Sequence, residues 1–95
     1  MREKLFEDFL HNEPTIRSEK AIASRMRKAH KIETILRKDL DDIVCTDDGT
    51  YQALLALQNF DDAHNNLQNT LRKYYKFANG KEFPRLSSYQ KRIYP

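Results

Sequence analysis

The sequence predicts an all-α fold, a compact four-helix bundle followed by a basic C-terminal tail. Glycine and proline, which interrupt helices, occur only two and three times in 95 residues. Charged residues make up 33% of the chain and hydrophobic residues 39%, as is typical of a small helical domain. Four segments repeat apolar residues at helical spacing, and strand signals are nearly absent. We expect residues 1–80 to form one helical domain and residues 81–95 a tail or linker.

The first two helices are predicted from apolar stripes and from clear boundaries. Residues 3–12 place Leu5, Phe6, Phe9 and Leu10 on one side, and the helix ends before Pro14 because the residue preceding proline disfavours helical geometry. Ser18 is a good cap for the second helix, since its hydroxyl can accept an unpaired backbone N–H. That helix extends to residue 40 with an apolar stripe of Ile22, Met26, Ala29, Ile32, Leu36 and Leu40.

Residues 39–50 are predicted to be a connecting segment. Ile43 and Val44 should enter the core, Cys45 should be a small core residue, and Gly49 should mark a turn. The aspartates of this segment lack the alternating ligands and the closing glutamate of a calcium loop, so Asp47 or Asp48 is more simply a cap for a third helix over residues 50–59.

The last predicted helix covers residues 61–79 and ends at Gly80. Its apolar side contains Phe60, Ala63, Leu67, Thr70, Leu71, Tyr74 and Ala78. Its polar side contains Asn65, Asn69, Arg72, Lys73 and Lys76. Beyond Gly80 the chain is either extended or, because Leu86, Tyr89 and Ile93 recur at helical spacing, a short helix whose stability depends on docking.

Charge is strongly segregated along the chain. Residues 1–38 contain ten Lys/Arg and six Asp/Glu, residues 39–62 contain seven Asp and no base, and residues 63–95 contain seven bases and one acid. The blocks therefore carry +4, −7 and +6, which agrees with the net charge of +3. This distribution predicts one cationic and one anionic surface.

The cationic residues on two helices suggest a double-stranded DNA interface. On the second helix, Lys20, Ser24, Arg27 and Lys31 lie opposite the apolar stripe and are able to follow a phosphate backbone. On the last helix, Asn65 and Asn69 are suited to adenine edges, Arg72 to guanine, and Lys73 and Lys76 to phosphates. The alternative for each row is a merely solvated helix face. Arg25 and Glu33 fall near the apolar arc, where a partly buried ion pair with another helix or snorkelling would explain them.

Catalytic and metal chemistry is not indicated. His11, His30 and His64 are far apart in sequence, and Cys45 is the only cysteine, so neither a zinc signature nor a disulfide is expected. We expect no enzymatic activity, no cofactor, no metal and no small-molecule substrate. No apolar run is long enough to span a bilayer, and the first residues do not form a secretion signal, so a cytoplasmic location is expected.

Two segments resemble a known family. Residues 16–24, IRSEKAIAS, resemble the "x-S-x-x-T-I-x-S-Y" start of a long helix in the SAM-like N-terminal core-binding domain of phage integrases, which are tyrosine recombinases. Residues 67–77, LQNTLRKYYKF, are similar to the "L-x-x-L-R-x-F-Y-x-F" end of that domain's last helix. The matches cover residues 3–80 in the right order. Ala21 and Arg25 depart from the pattern, where threonine and tyrosine are common.

The resemblance implies a four-helix domain that grips one side of a duplex through its second and fourth helices. Nothing after residue 80 is similar to the catalytic domain, so neither Tyr89 nor Tyr94 matches its nucleophile, and DNA recombination would need a larger enzyme of which this chain is a part. A stand-alone relative is the other interpretation. The alternative function is a small protein-interaction or inhibitor protein of phage or mobile-element origin, which would use the acidic segment 39–62 as its contact surface.

Overall fold

The computed structural model describes residues 1–60 and 63–93, and this part of the chain is entirely helical. Its elements are α1 (Glu3–His11), α2 (Glu19–Leu36), α3 (Leu40–Val44), α4 (Asp47–Gln58), a 3₁₀ turn (Ala63–Asn65), α5 (Asn66–Asn79) and α6 (Leu86–Ile93). The all-α prediction is confirmed. The four predicted helices correspond to α1, α2, α4 and α5, and the structure adds the short α3 and the terminal α6.

Helix α5 lies at the centre of the fold and packs against α1, α2, α3 and α4. Its predicted apolar side is largely confirmed, because Leu71, Tyr74 and Thr70 are completely buried. The Tyr74 ring contacts Phe6 of α1 edge-on, with 4.8 Å between ring centroids. Tyr75, one position further around the helix, is also buried and packs against Phe83. Two neighbouring tyrosines thus join α5 to α1 and to the segment before α6.

The second helix is shorter than the sequence predicts. The Ser18 cap is confirmed, since its Oγ accepts a hydrogen bond from Ala21 N at 3.1 Å. The helix ends at Leu36 because Arg37 adopts a left-handed conformation with φ of 54°. The chain then starts α3, where Asp39 accepts from the backbone N–H of Asp41 and Glu33 accepts from that of Leu40. These carboxylates satisfy N–H groups at the start of a new helix.

The prediction that Gly49 marks a turn is wrong, because Gly49 lies in the first turn of helix α4. The cap of α4 is Thr46, whose Oγ1 accepts from Gly49 N at 2.9 Å, and neither Asp47 nor Asp48 is the cap residue. An added Cβ at Gly49 would lie 2.8 Å from Thr46 Oγ1 and 2.9 Å from the Ile43 carbonyl oxygen. Glycine is therefore required here by a close approach of the α3 backbone.

We expect Gly49→Ala to destabilise the protein by about 1–3 kcal/mol, because the new methyl group overpacks against backbone atoms. Helix propensity alone would predict the opposite change in stability, since alanine is the better helix former by about 1 kcal/mol. Urea unfolding followed by circular dichroism measures the difference. An alanine variant at least as stable as the parent would show that α3 moves away from α4 without cost.

Three predicted core residues lie at the surface instead. Leu5 is 58% exposed and Phe60 43% exposed, and Cys45 is also exposed. Phe60 lies outside the core because α5 begins only at Asn66. His64 and Asn65 both have positive φ, so the predicted continuous helix from residue 61 is wrong over its first residues. Asp61 and Asp62, with which the predicted helix begins, lie outside the described residues.

The predicted tail forms a helix and packs against the domain. Phe83 and Tyr89 are each 5% exposed. The Tyr89 ring lies 4.8 Å from that of Tyr51 in α4. This aromatic contact docks α6 on the domain, which is the condition under which a stable terminal helix was predicted.

Candidate nucleic-acid interface

A cationic groove of about 360 Å³ opens between α2, α5, the loop after α1 and the segment before α6. Helix α5 forms one side, because residues three or four positions apart lie on the same face of a helix. The groove is lined by Thr15, Arg25, Asn69, Arg72, Lys73, Lys76, Glu82 and Phe83. Four of the five site residues predicted on the last helix thus share one groove.

Glu13 supplies a carboxylate to the cations of α5. It lies in the loop after α1 and is only 8% exposed. Its Oε1 lies 2.7 Å from Lys73 Nζ and 3.2 Å from Lys76 Nζ. Burial raises the pKa of this carboxyl, but hydrogen bonds and the charges of the two lysines outweigh burial and leave its pKa lowered. The carboxylate therefore remains ionised and partly neutralises the groove.

Sequence reasoning missed Glu13 because it belongs to no helical row. The residue precedes Pro14 in a loop, and its partners lie 60 and 63 positions further along the chain. An unpaired glutamate next to a helix-ending proline is an ordinary surface feature in a sequence. Only the packing of the loop against α5 turns it into a counter-ion.

Arg72 holds the segment that leads into α6. Its Nη1 donates to the carbonyl oxygens of Phe83 at 3.0 Å and Pro84 at 3.1 Å. Burial lowers the pKa of its guanidinium, opposed by the charge of Glu82. These contacts give Arg72 an anchoring role through Nη1 and leave its Nε and Nη2 donors for other partners. Its role in base reading stays a prediction.

Arg25 joins the groove from α2. It is half-buried, and its Nη1 donates to Thr70 Oγ1 on α5 at 3.2 Å. Arg25 therefore contacts another helix through a hydrogen bond to a hydroxyl, and not through the ion pair that was one of the two expectations. Glu33, the other residue near the apolar arc, binds the N–H of Leu40 and lies 3.3 Å from the Met1 amino group. The departure from the integrase-like pattern at Arg25 thus contributes a cation to the groove.

The cationic row predicted on α2 lies on another surface. Lys20, Arg27 and Lys31 are exposed, and Ser24 accepts a hydrogen bond from Lys28 Nζ at 2.5 Å. None of the four predicted residues lines the groove. At about 100° per residue, Arg27 lies about 160° around the helix from Arg25. The row therefore lies on the back of α2, whereas the groove lies at its junction with α5.

Asn65 lies at the start of α5 and outside the lining of the groove. It is exposed, and its Oδ1 accepts a hydrogen bond from Gln68 Nε2 at 3.3 Å. Asn69 is exposed as well and lies one turn further along, within the groove. Of the two asparagines expected to contact bases, Asn69 alone adjoins the clustered cations.

The acidic segment is partly used inside the protein. Asp41 accepts a hydrogen bond from the Tyr74 hydroxyl at 2.8 Å, and Asp47 accepts one from the Tyr75 hydroxyl at 2.6 Å. Asp42 and Asp48 are exposed and line a second groove of about 420 Å³ between α3 and α4. The anionic surface in the described residues is therefore smaller than the sequence predicts.

No protein-family model, curated protein or solved structure matches the chain. None of the helices formed by residues 1–60 and 63–93 combines the length and apolar composition of a membrane span. In the same residues, no three His, Cys, Asp or Glu side chains are grouped so that they are able to hold a metal ion.

Proposed function

We propose that the chain is a non-catalytic double-stranded DNA-binding module whose groove between α2 and α5 receives backbone phosphates. The observation that supports this proposal is the convergence of Arg25, Lys73 and Lys76, from distant parts of the sequence, beside the exposed amide of Asn69. Arginine and lysine bind phosphates through charge-assisted hydrogen bonds, and asparagine is suited to adenine edges.

The groove has a formal excess of positive charge. Arg25, Arg72, Lys73 and Lys76 contribute four positive charges, and Glu13 and Glu82 contribute two negative charges. An excess of two positive charges in a concave surface favours a polyanion. Lys20, Ser24, Arg27 and Lys31 would contact the duplex only where it reaches the back of α2. A SAM-like domain related to integrases of phages or other mobile elements is part of this proposal.

Fluorescence anisotropy of a labelled random duplex, titrated with the protein at two salt concentrations, tests the proposal. We expect micromolar binding that weakens steeply with salt, because phosphate contacts release counter-ions. Asn69→Asp should weaken binding about fourfold, as expected for one added charge about 5 Å from a phosphate in a solvated groove. Lys38→Gln, in the second groove, is the control. Absence of binding at low salt would contradict the proposal.

Replacing Glu13 by glutamine should strengthen DNA binding about tenfold at low salt. The substitution removes a negative charge beside Lys73 and Lys76. At an effective dielectric constant of about 40, the repulsion between this carboxylate and a phosphate about 6 Å away is about 1.4 kcal/mol. Because more positive charge is then available for phosphate, the salt dependence should become steeper by about one counter-ion.

Glu7→Gln is the matched control, since it removes one negative charge from α1 outside the groove lining. Its affinity should stay within about twofold of the parent. If both variants bind DNA more tightly than the parent and by the same factor, the net charge of the protein and not the groove determines affinity. Thermal melting of each variant establishes that it is folded.

The second candidate is a protein-interaction surface on the acidic side, favoured by the exposure of Asp42 and Asp48 beside the second groove. Its test is Asp42→Asn with Asp48→Asn, assayed by binding to a basic peptide. Asp41 and Asp47 are unsuitable for this test because their replacement would break hydrogen bonds from buried tyrosines. Unchanged peptide binding by the double variant would reject this candidate.

A further inference from the structure

The cationic groove between α2 and α5 has many unused hydrogen-bond donors. A guanidinium has five N–H donors and an ammonium three. Among the described residues, Arg25 uses one donor, on Thr70, and Arg72 uses the two of its Nη1, on backbone carbonyls. Lys73 uses two, on Glu13 and Thr15. A small anion would therefore meet donors from several sides without displacing a contact that the fold requires.

The charge of the groove matches one particular phosphate chemistry. An excess of two positive charges is neutralised by a phosphate monoester, which carries about −1.5 to −2 at pH 7. A phosphodiester within a strand carries one negative charge and leaves half of the excess uncompensated. The groove is also bounded by α2, α5, Thr15 and the segment containing Glu82 and Phe83. A phosphate with one substituent enters such a recess more easily than one whose chain continues on both sides.

The aromatic side of the groove is not available for base stacking. Phe83 is 5% exposed, and the Arg72 guanidinium carbon lies 5.8 Å from the centre of its ring. Stacking requires an accessible ring face. The groove therefore offers recognition of the phosphate and little recognition of the attached base.

From these observations we propose that the groove binds a terminal phosphate monoester, such as the 5′-phosphate of a nucleic-acid strand, in preference to internal phosphates. This inference rests on the proposed DNA-binding function and specifies the part of DNA that the groove receives. Arg25, Arg72 and Lys73 contact the terminal phosphate, and Asn69 lies beside the first nucleotide. The attached duplex continues out of the groove.

The test compares two short duplexes of the same sequence, one with a 5′-phosphate and one with a 5′-hydroxyl, in anisotropy titrations with the full chain. We expect about tenfold tighter binding of the phosphorylated duplex, because its terminal phosphate brings about 1.5 to 2 negative charges to the cations. That is nearly one charge more than an internal phosphodiester, which would occupy the groove in the duplex with a 5′-hydroxyl. Arg25→Gln should reduce this ratio to near one while keeping a hydrogen-bonding group beside Thr70. Lys38→Gln also removes one positive charge, and it should leave the ratio unchanged.

Equal binding of both duplexes by the parent protein would overturn the inference and leave the proposed DNA binding intact. Loss of binding to both would overturn the proposed function itself. A nucleoside 5′-monophosphate that competes as well as the phosphorylated duplex would overturn the assignment to a nucleic-acid end. If Arg25→Gln does not fold, Asn69→Asp at the exposed edge provides the second variant. A ratio that this variant leaves unchanged would place the phosphate outside the groove.

Discussion

Replacing Tyr74 by alanine should lower the free energy of unfolding by about 3–5 kcal/mol, the usual cost of removing a buried aromatic ring. The side chain is 0% exposed and its ring lies 4.8 Å from Phe6 and 5.2 Å from Phe77. Its hydroxyl donates to Asp41 and accepts from the backbone N–H of Arg2. Since domains of this size are stable by about 5–15 kcal/mol, the variant should be close to unfolding. Urea unfolding curves measure the loss.

The control for this variant is Tyr74→Phe, which keeps the ring and removes the hydroxyl. We expect it to cost about 1 kcal/mol, the net value of a typical hydrogen bond. An equal cost for both substitutions would mean that the polar contacts with Asp41 and Arg2, and not ring packing, provide the stability at this site.

Stability should fall steeply between pH 10 and pH 12 because two tyrosines keep their protons only in the folded state. Burial raises the pKa of Tyr74 to about 12, and Asp41 adds to the shift. Burial raises the pKa of Tyr75 to about 12 as well, with Asp47 as the next cause. Below pH 10 both tyrosines are protonated in the folded and in the unfolded state, and their contribution to stability is complete. Above it the unfolded chain loses protons that the folded chain retains, so stability decreases as pH rises.

The expected slope is about 1.4 kcal/mol per pH unit for each tyrosine, measured as the free energy of unfolding in urea from pH 8 to pH 12. Tyr75→Phe removes one of the two groups and should reduce the slope by about half of the tyrosine contribution. All other titratable groups are the same in both proteins. A slope that is unchanged in Tyr75→Phe would show that Tyr75 does not cause the alkaline loss.

The local features of the fold were predictable from sequence because they depend on neighbouring residues. The extents of α1 and α5 near Pro14 and Gly80 follow from backbone preferences, and the Ser18 cap follows from the chemistry of its hydroxyl. The helical spacing of Leu67, Leu71 and Tyr74 identified the buried side of α5. Its opposite side contained four of the residues that line the candidate groove.

Features that depend on how the chain folds back on itself were not predictable. The end of α2 at Leu36 and the start of α3 use carboxylates of Glu33 and Asp39, whose capping roles appear only when the chain reverses direction. Gly49 is required by the approach of the Ile43 carbonyl, which no local pattern indicates. The docking of α6 likewise depends on the contact between Tyr89 and Tyr51.

The candidate site shows the same division. By itself, the sequence determined that this protein is helical, that its charges are segregated, and that α5 presents asparagine and cations opposite its apolar side. Only the tertiary structure decided that Arg25 contributes to the groove, that Glu13 partly neutralises it, and that the row from Lys20 to Lys31 lies elsewhere. Helical periodicity fixes where a side chain lies around its own axis. The packing of helices and loops decides which of those sides meet.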